Sequence, residues 1–262
     1  MRTKRKIPVI PNMITTGNIF AGFYSIIQSI EGDFEKAGWA IVIGGIFDIL
    51  DGRIARLTNS QSEFGVQYDS LSDLTTFGFA PALMAYFWAL KPFGKIGWLA
   101  AFLYVVCAAL RLARFNVQGA TEEREYFQGI PSPGAAGVII ATVLFHSEYW
   151  GAGHLNSTVA RSFFLVLVYC TALLMVSGIR FRTFKTFSLR GVGPFRALVM
   201  SALVISLIAF RPRLALFVVG YAYLMMGIIE TAFFLRRKSL LPDDEEEVET
   251  TEEDDNIKVL PK

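Results

Sequence analysis

Residues 48–73 read DILDGRIARLTNSQSEFGVQYDSLSD, with Asp48, Asp51, Asp69 and Asp73 set between apolar runs suited to lie in lipid. A carboxylate at the edge of a bilayer costs free energy and marks a functional group by default. Asp48 and Asp51 are three residues apart, Asp69 and Asp73 four apart. On helices both spacings put the side chains on one face, about one turn from each other. The polar stretch TNSQSE between them reads as a turn, so the flanking helices are predicted to form an antiparallel pair. The four carboxylates then converge at one membrane boundary.

Four ionised carboxylates at close range repel one another. Hard oxygen donors suit Mg²⁺ or Mn²⁺, and two such ions can share the four groups. The small residues Gly52, Ala55 and Gly65 leave room for a ligand or a neighbouring helix, and Ser62 adds a hydroxyl in the turn. Arg56 carries a permanent charge in a fork shaped for phosphate or carboxylate. Three readings fit this spacing: a metal–phosphate site, a path for ions or protons, and structural ion pairs with Arg53, Arg56 and Arg111.

Composition places the chain in a membrane. Of its 262 residues 53% are hydrophobic and 18% charged, and the mean hydropathy is +0.44, more apolar than a soluble domain of this length. Cys107 and Cys170 lie far apart inside apolar runs, offer no metal or disulfide pattern, and are expected to be buried small hydrophobes. The net charge of +2 hides a division. Residues 243–262 hold 10 of the 23 acidic groups, leaving 23 basic against 13 acidic over residues 1–242. The tail, DDEEEVETTEEDD, is expected to be solvated and disordered because its charges repel. Residues 1–240 thus read as one membrane domain and 241–262 as an acidic cytoplasmic tail.

Eight segments have the length and apolarity of spanning helices: 11–29, 36–57, 66–90, 96–116, 132–148, 160–179, 194–210 and 213–235. Pro81 inside the third predicts a kink. The basic start, MRTKRK, is read as an interfacial lead-in rather than a cleaved signal. With the N-terminus cytoplasmic, 17 Lys and Arg fall at inner ends against six at outer ends (Lys36, Lys91, Lys95, Arg161, Arg211 and Arg213). This bias puts both termini and the aspartates on the cytoplasmic side of the cell membrane. His146 and His154 fall in a predicted outer loop, away from the carboxylates.

Taken whole, the opening stretch fits D-x2-D-G-x2-A-R-x8-G-x3-D-x3-D at every fixed position, from Asp48 to Asp73. It resembles the defining motif of the CDP-alcohol phosphotransferases, membrane enzymes of phospholipid synthesis. PNMITTGNIFAGF at 11–23, ALRLARFN at 109–116, FQGIPSPGAAG at 127–137 and FRTFK at 181–185 resemble the branch that uses serine as acceptor.

The resemblance implies an all-α integral membrane fold. It implies transfer of a phosphatidyl group from CDP-diacylglycerol to the hydroxyl of L-serine, releasing CMP. It also implies two divalent cations on Asp48, Asp51, Asp69 and Asp73, with Asp73 as the base, and a homodimer. Nucleotide and phosphate contacts carry over to Asn12, Thr15, Gly52, Ala55, Arg56 and Ser62. A serine acceptor brings a carboxylate, which Arg111 and Arg114 suit, and an ammonium, which the Asn116 amide oxygen suits. The basic group Arg180, Arg182, Lys185 and Arg190 is expected to face lipid head groups or the diphosphate. Membrane lipids are expected partners and nucleic acid is not. Glycerol 3-phosphate or an inositol phosphate is the rival acceptor, and a cation- or proton-coupled transporter the rival class. Reporter fusions test the predicted topology: a fusion after Lys262 should report the cytoplasm, and a fusion within 150–157 the opposite side.

Overall fold

The computed structural model describes residues 9–118, 126–151, 153–182 and 210–238, with residues 199 and 206. Helix α1 spans Val9–Glu31, α2 Phe34–Leu57 and α3 Glu63–Asp73. The helical path from α3 continues unbroken through residues 74–79, α4 (Ala80–Ala85) and residues 86–90. Four longer helices come after it: α5 (Lys95–Gln118), α6 (Ser132–Tyr149), α7 (Thr158–Val176) and α8 (Pro212–Lys238). Helices therefore occupy seven of the eight predicted spans. The segment 194–210 lies outside the described residues apart from positions 199, 206 and 210, as do the basic N-terminal hexapeptide and the acidic tail. Lys95–Val117 and Thr158–Val176 are, among the described residues, the two helices long and apolar enough to cross a membrane.

Local chemistry sets the helix ends. Gly32 adopts φ +86° and closes α1: its N–H bonds the Ser29 carbonyl, and the Asp33 N–H bonds that of Gln28 at 2.9 Å. This paired return is the usual glycine stop of a helix. Asp33 then caps α2, its carboxylate accepting the Lys36 N–H at 3.0 Å and pairing with Lys36 Nζ at 2.8 Å. The Lys36 side-chain hydrogen bond holds the Asp33 carboxyl below its ordinary range. Helices α1 and α2 are thus joined by a two-residue turn. Ser62 caps α3, its Oγ accepting from the Gly65 N–H at 3.0 Å.

The third predicted span departs from a regular α-helix in a way that Pro81 explains in part. Residues 74–79 and 86–90 form wider π-helical turns, with Ala80 N–H bonded to the Thr75 carbonyl and Lys91 N–H to that of Tyr86. Pro81 has no N–H to give the Phe77 carbonyl, and the buried Tyr104 hydroxyl donates to that oxygen at 3.3 Å. Each wide turn inserts a residue and rotates the helix beyond it, an arrangement frequent at functional sites. Asp69 and Asp73 can thereby face one way while Thr76 and Phe77 pack inward.

Several expectations are corrected. Helix α2 meets the third predicted span mainly through residues 74–79 and α4; α2 and α3 themselves pack on α1, which lies against α2 along much of its length and against α3 and residues 74–79. A short antiparallel ladder joins β1 (Tyr126–Gln128) to β2 (Arg180–Arg182), so the architecture is all-helical save for this clip. His146 belongs to α6 and not to a loop. Its ring packs edge-on against Trp88 at 5.3 Å, and Trp88 anchors Gly153 through its indole N–H at 2.9 Å. Cys107 is buried as expected, but Cys170 is exposed on α7.

Beside an apolar core that includes Ile41, Met84, Trp88 and Leu144, some polar groups lie inside and some large apolar ones face outward. Thr15, Asn18, Ser25, Ser72 and Thr76 are buried, whereas Phe20, Ile46, Phe102 and Phe163 are exposed. Small residues make that interior possible. A Cβ on Gly22 would fall 2.9 Å from the Thr76 Cα, and one on Gly44 would fall 2.5 Å from the Thr76 Cγ2. α1, α2 and the 74–79 turn therefore meet at backbone range. Gly22→Ala should cost about 1–3 kcal/mol through overpacking. Thermal unfolding of the purified protein should show this, while Gly137→Ala, at a site with open space around it, should not.

Candidate active site

The carboxylates converge from two helices, α2 and α3. One oxygen each from Asp48, Asp51 and Asp69 lies within 4.8 Å of the others. Asp73 sits one turn beyond Asp69, with its carboxyl against that of Asp48. Asp51 is 4% exposed, and the Thr15 hydroxyl donates to its Oδ2 at 2.6 Å. Such a short charge-assisted bond fixes the carboxylate's direction. Asp69 Oδ1 is buried with no hydrogen-bond partner among the described residues. Mutually repelling carboxylates, one with an orphaned buried oxygen, fit a hard divalent cation in number and donor type. Asp48, Asp51 and Asp69 could hold one, with Asp73 in reach.

Helix α1 supplies a wall that the spacing of the aspartates does not reveal. Its Asn12, Thr15 and Asn18 recur every third residue and face α2 and α3. Ser72 Oγ donates to the Thr15 carbonyl at 3.2 Å, and Thr76 Oγ1 to the Asn18 carbonyl at 2.9 Å. Asn18 Nδ2 reaches Asp73 Oδ1 at 3.5 Å. Of these, Asn18, Ser72 and Thr76 are not picked out by motif. Their signal is present as polar residues at helical spacing in apolar segments.

The remaining expected contacts divide. Asn12 lies beside Gly65 and Ser62: a Cβ on Gly65 would be 3.2 Å from Ser62 Oγ and 3.6 Å from Asn12 Oδ1, and Asn12 Nδ2 is buried without a partner. Arg56 is exposed and folds back along α2, its Nε donating to the Gly52 carbonyl at 2.9 Å. Ala55 is half-buried on the same helix. Arg111 points its Nη1 to Ser132 Oγ at 3.1 Å, keeps a buried Nε without a partner, and lies within electrostatic reach of Asp73. Asn116 pairs with Ser70 on α3 at 2.9 Å, and Arg114 is exposed. Arg111 and Asn116 thus bond different residues, Ser132 and Ser70. The side chains of Arg180, Arg182, Lys185 and Arg190 lie outside the described part of the chain.

A separate cavity of about 1020 Å³ lies toward the other end of α1 and α2, lined by Tyr24, Glu31, Asp33, Lys36 and Trp39 among others. Its polar end, at Glu31 and Asp33, lies at the far end of α1, roughly 24 Å along the helix from Thr15. The cavity shares no residue with the carboxylate cluster.

Comparison with known proteins agrees with the motif. The family model for CDP-alcohol phosphatidyltransferase matches residues 8–176, which contain all four aspartates and the α1 wall. The chain belongs to the CDP-alcohol phosphatidyltransferase family. It is 38% identical over 227 residues to the CDP-diacylglycerol–serine O-phosphatidyltransferase of Helicobacter pylori, covering 87% of this chain and 92% of that one. The protein of the same name from Mycobacterium leprae is 34% identical over 233 residues, 85% of this chain and 75% of that one. The Bacillus subtilis protein of that name is 38% identical over 136 residues, 52% and 75% of the two chains.

Adding Mn²⁺ or Mg²⁺ should raise the melting temperature of the purified protein, since a ligand bound by the folded state alone stabilises it. Asp69→Asn and Asp51→Asn should remove most of that rise. An equal rise in both variants would rule out cation binding at these carboxylates.

Proposed function

We propose that this chain transfers the phosphatidyl group of CDP-diacylglycerol to the hydroxyl of L-serine, giving phosphatidylserine and CMP. The observation that carries the reading is the convergence of Asp48, Asp51 and Asp69 within 4.8 Å, beside Asp73, in a chain of this family. Relatives named for the serine reaction, similar over most of the chain, support serine as the acceptor.

The chain is read as a multi-pass protein of the cell membrane with eight spans, both termini and the active site on the cytoplasmic side. Residues 1–240 form the membrane domain and 241–262 an acidic tail. The positive-inside bias supports this orientation. A homodimer among membrane lipids is the expected assembly.

Two divalent cations, Mg²⁺ or Mn²⁺, held by Asp48, Asp51, Asp69 and Asp73, would supply positive charge to the diphosphate and to CMP as it leaves. The chain's own residues bind and orient. Asn12, Thr15 and Ser62 line the turn beside Gly65, and Gly52 and Ala55 leave space along α2. Arg56, exposed and on a single helix, is free to swing from the Gly52 carbonyl to a phosphate. Thr15 keeps Asp51 aimed inward. Arg111, with its unpartnered buried Nε near Asp73, suits the serine carboxylate together with Arg114, and Asn116 suits the ammonium.

The serine hydroxyl attacks the phosphorus that bears diacylglycerol. Asp73 takes the hydroxyl proton as the new P–O bond forms and the bond to CMP breaks. Phosphoryl-group chemistry of this kind asks mainly for positioning and charge stabilisation, which a rigid carboxylate frame provides.

Purified protein incubated with CDP-diacylglycerol and Mn²⁺ should release CMP with L-serine and not with glycerol 3-phosphate or an inositol phosphate. Turnover with a phosphate-bearing acceptor and none with serine overturns the acceptor. Cation flux into liposomes without CMP release overturns the transferase. Asp73→Asn should abolish turnover and leave CDP-diacylglycerol binding largely intact.

A further inference from the structure

We propose that Asn18 is the positioning residue for Asp73, an inference that rests on the reading of Asp73 as the base. Asn18 lies in the middle of α1 and is 0% exposed. Its amide nitrogen donates to Asp73 Oδ1 at 3.5 Å, a long bond of the sort that tightens when substrate completes a site. Its amide oxygen faces α2 at Gly44, where a Cβ would come within 2.9 Å, and has no hydrogen-bond partner among the described residues. An amide half-satisfied in a buried position costs free energy that an apolar side chain of the same size avoids.

Helix packing does not require that amide. The bond that ties α1 to the 74–79 turn runs from Thr76 Oγ1 to the backbone carbonyl of Asn18, which any residue supplies. The close approach of the three helices comes from Gly22 and Gly44. What the side chain adds is a neutral donor aimed at one oxygen of a carboxyl that faces the acidic Asp48, Asp51 and Asp69, with the Arg111 guanidinium in electrostatic reach. A neutral donor fixes the plane of the Asp73 carboxyl without neutralising it. Oδ1 is held by the amide, and Oδ2 keeps a single direction toward the acceptor. A lysine or arginine at position 18 would hold Asp73 as an ion pair and compete with the cations. Gly44 lies close against the amide oxygen and leaves it little room to move.

The role is tested with two variants. Asn18→Leu keeps the branched heavy-atom shape and removes the donor; Asn18→Asp keeps the shape and turns the donor into an acceptor. In both, kcat should fall roughly 10²-fold, the loss typical of misplacing a reacting group. KM for serine and the affinity for CDP-diacylglycerol should stay within about threefold of wild type, because binding is not what the amide serves. The melting temperature of Asn18→Leu should match or exceed that of the wild type.

Two results overturn the proposal. One is kcat within about twofold of wild type in Asn18→Leu, which shows that no transition-state interaction was lost. The other is loss of kcat that comes in both variants only together with weakened CDP-diacylglycerol binding and a lowered melting temperature. The Asp73→Asn variant separates the two readings. If it turns over normally, Asp73 is not the base and the role of Asn18 falls with it. If it is inactive while Asn18→Leu is fully active, Asp73 stands and Asn18 alone is excluded.

Discussion

Carboxylate repulsion is the constraint on which the rest of this structure depends. Asp48, Asp51 and Asp69 bring oxygens within 4.8 Å, and Asp73 lies against Asp48. At an effective dielectric typical of pairs near a protein surface, two unit charges 4 Å apart repel by about 4 kcal/mol. A flexible scaffold would relax by moving the groups apart. Here the backbones are locked instead, by the glycines at positions 22 and 44, the two-residue turn at Gly32 and Asp33, and the α1 hydroxyls and amides. Positive charge is then best supplied by a bound ligand, which is the condition for a cation and a diphosphate to be captured together.

Helix α1 has a larger part in this than its length suggests. It offers Thr15 to Asp51, Asn18 to Asp73, and two backbone carbonyls to Ser72 and Thr76. Each of those groups lies on a face that meets two other helices at once. The wide turn at 74–79 serves the same end from the opposite side, bringing Thr76 against α1 while the aspartates one turn earlier face the cluster. Stiffness in the frame and alignment in the site are thus the same set of contacts.

The motif was legible because it is local. Eight fixed positions between Asp48 and Asp73 state the carboxylates, their spacing and the small residues beside them, and family membership rests on the same residues. Helix positions were legible too, since runs of apolar residues mark them. Less legible was how those helices meet. The pairing of α2 with α3 was the natural reading of a short polar turn, yet both pack chiefly on α1. His146 looked like a loop residue because its neighbours are polar and aromatic, but the Trp88 ring gives it a packed place on α6.

The sequence by itself determined the chemistry the chain carries, the helical class, and the side of the apolar segments on which positive charge accumulates. These properties come from residue type and periodicity, which need no knowledge of distant contacts. Only the tertiary structure decided which hydroxyl and amide meet which carboxylate, that Asp69 keeps an orphaned buried oxygen, and that Asn18 aims at Asp73. Those contacts join residues 36 to 58 positions apart across three helices. Their geometry is set by glycine-sized gaps and a π-helical turn that no local pattern specifies.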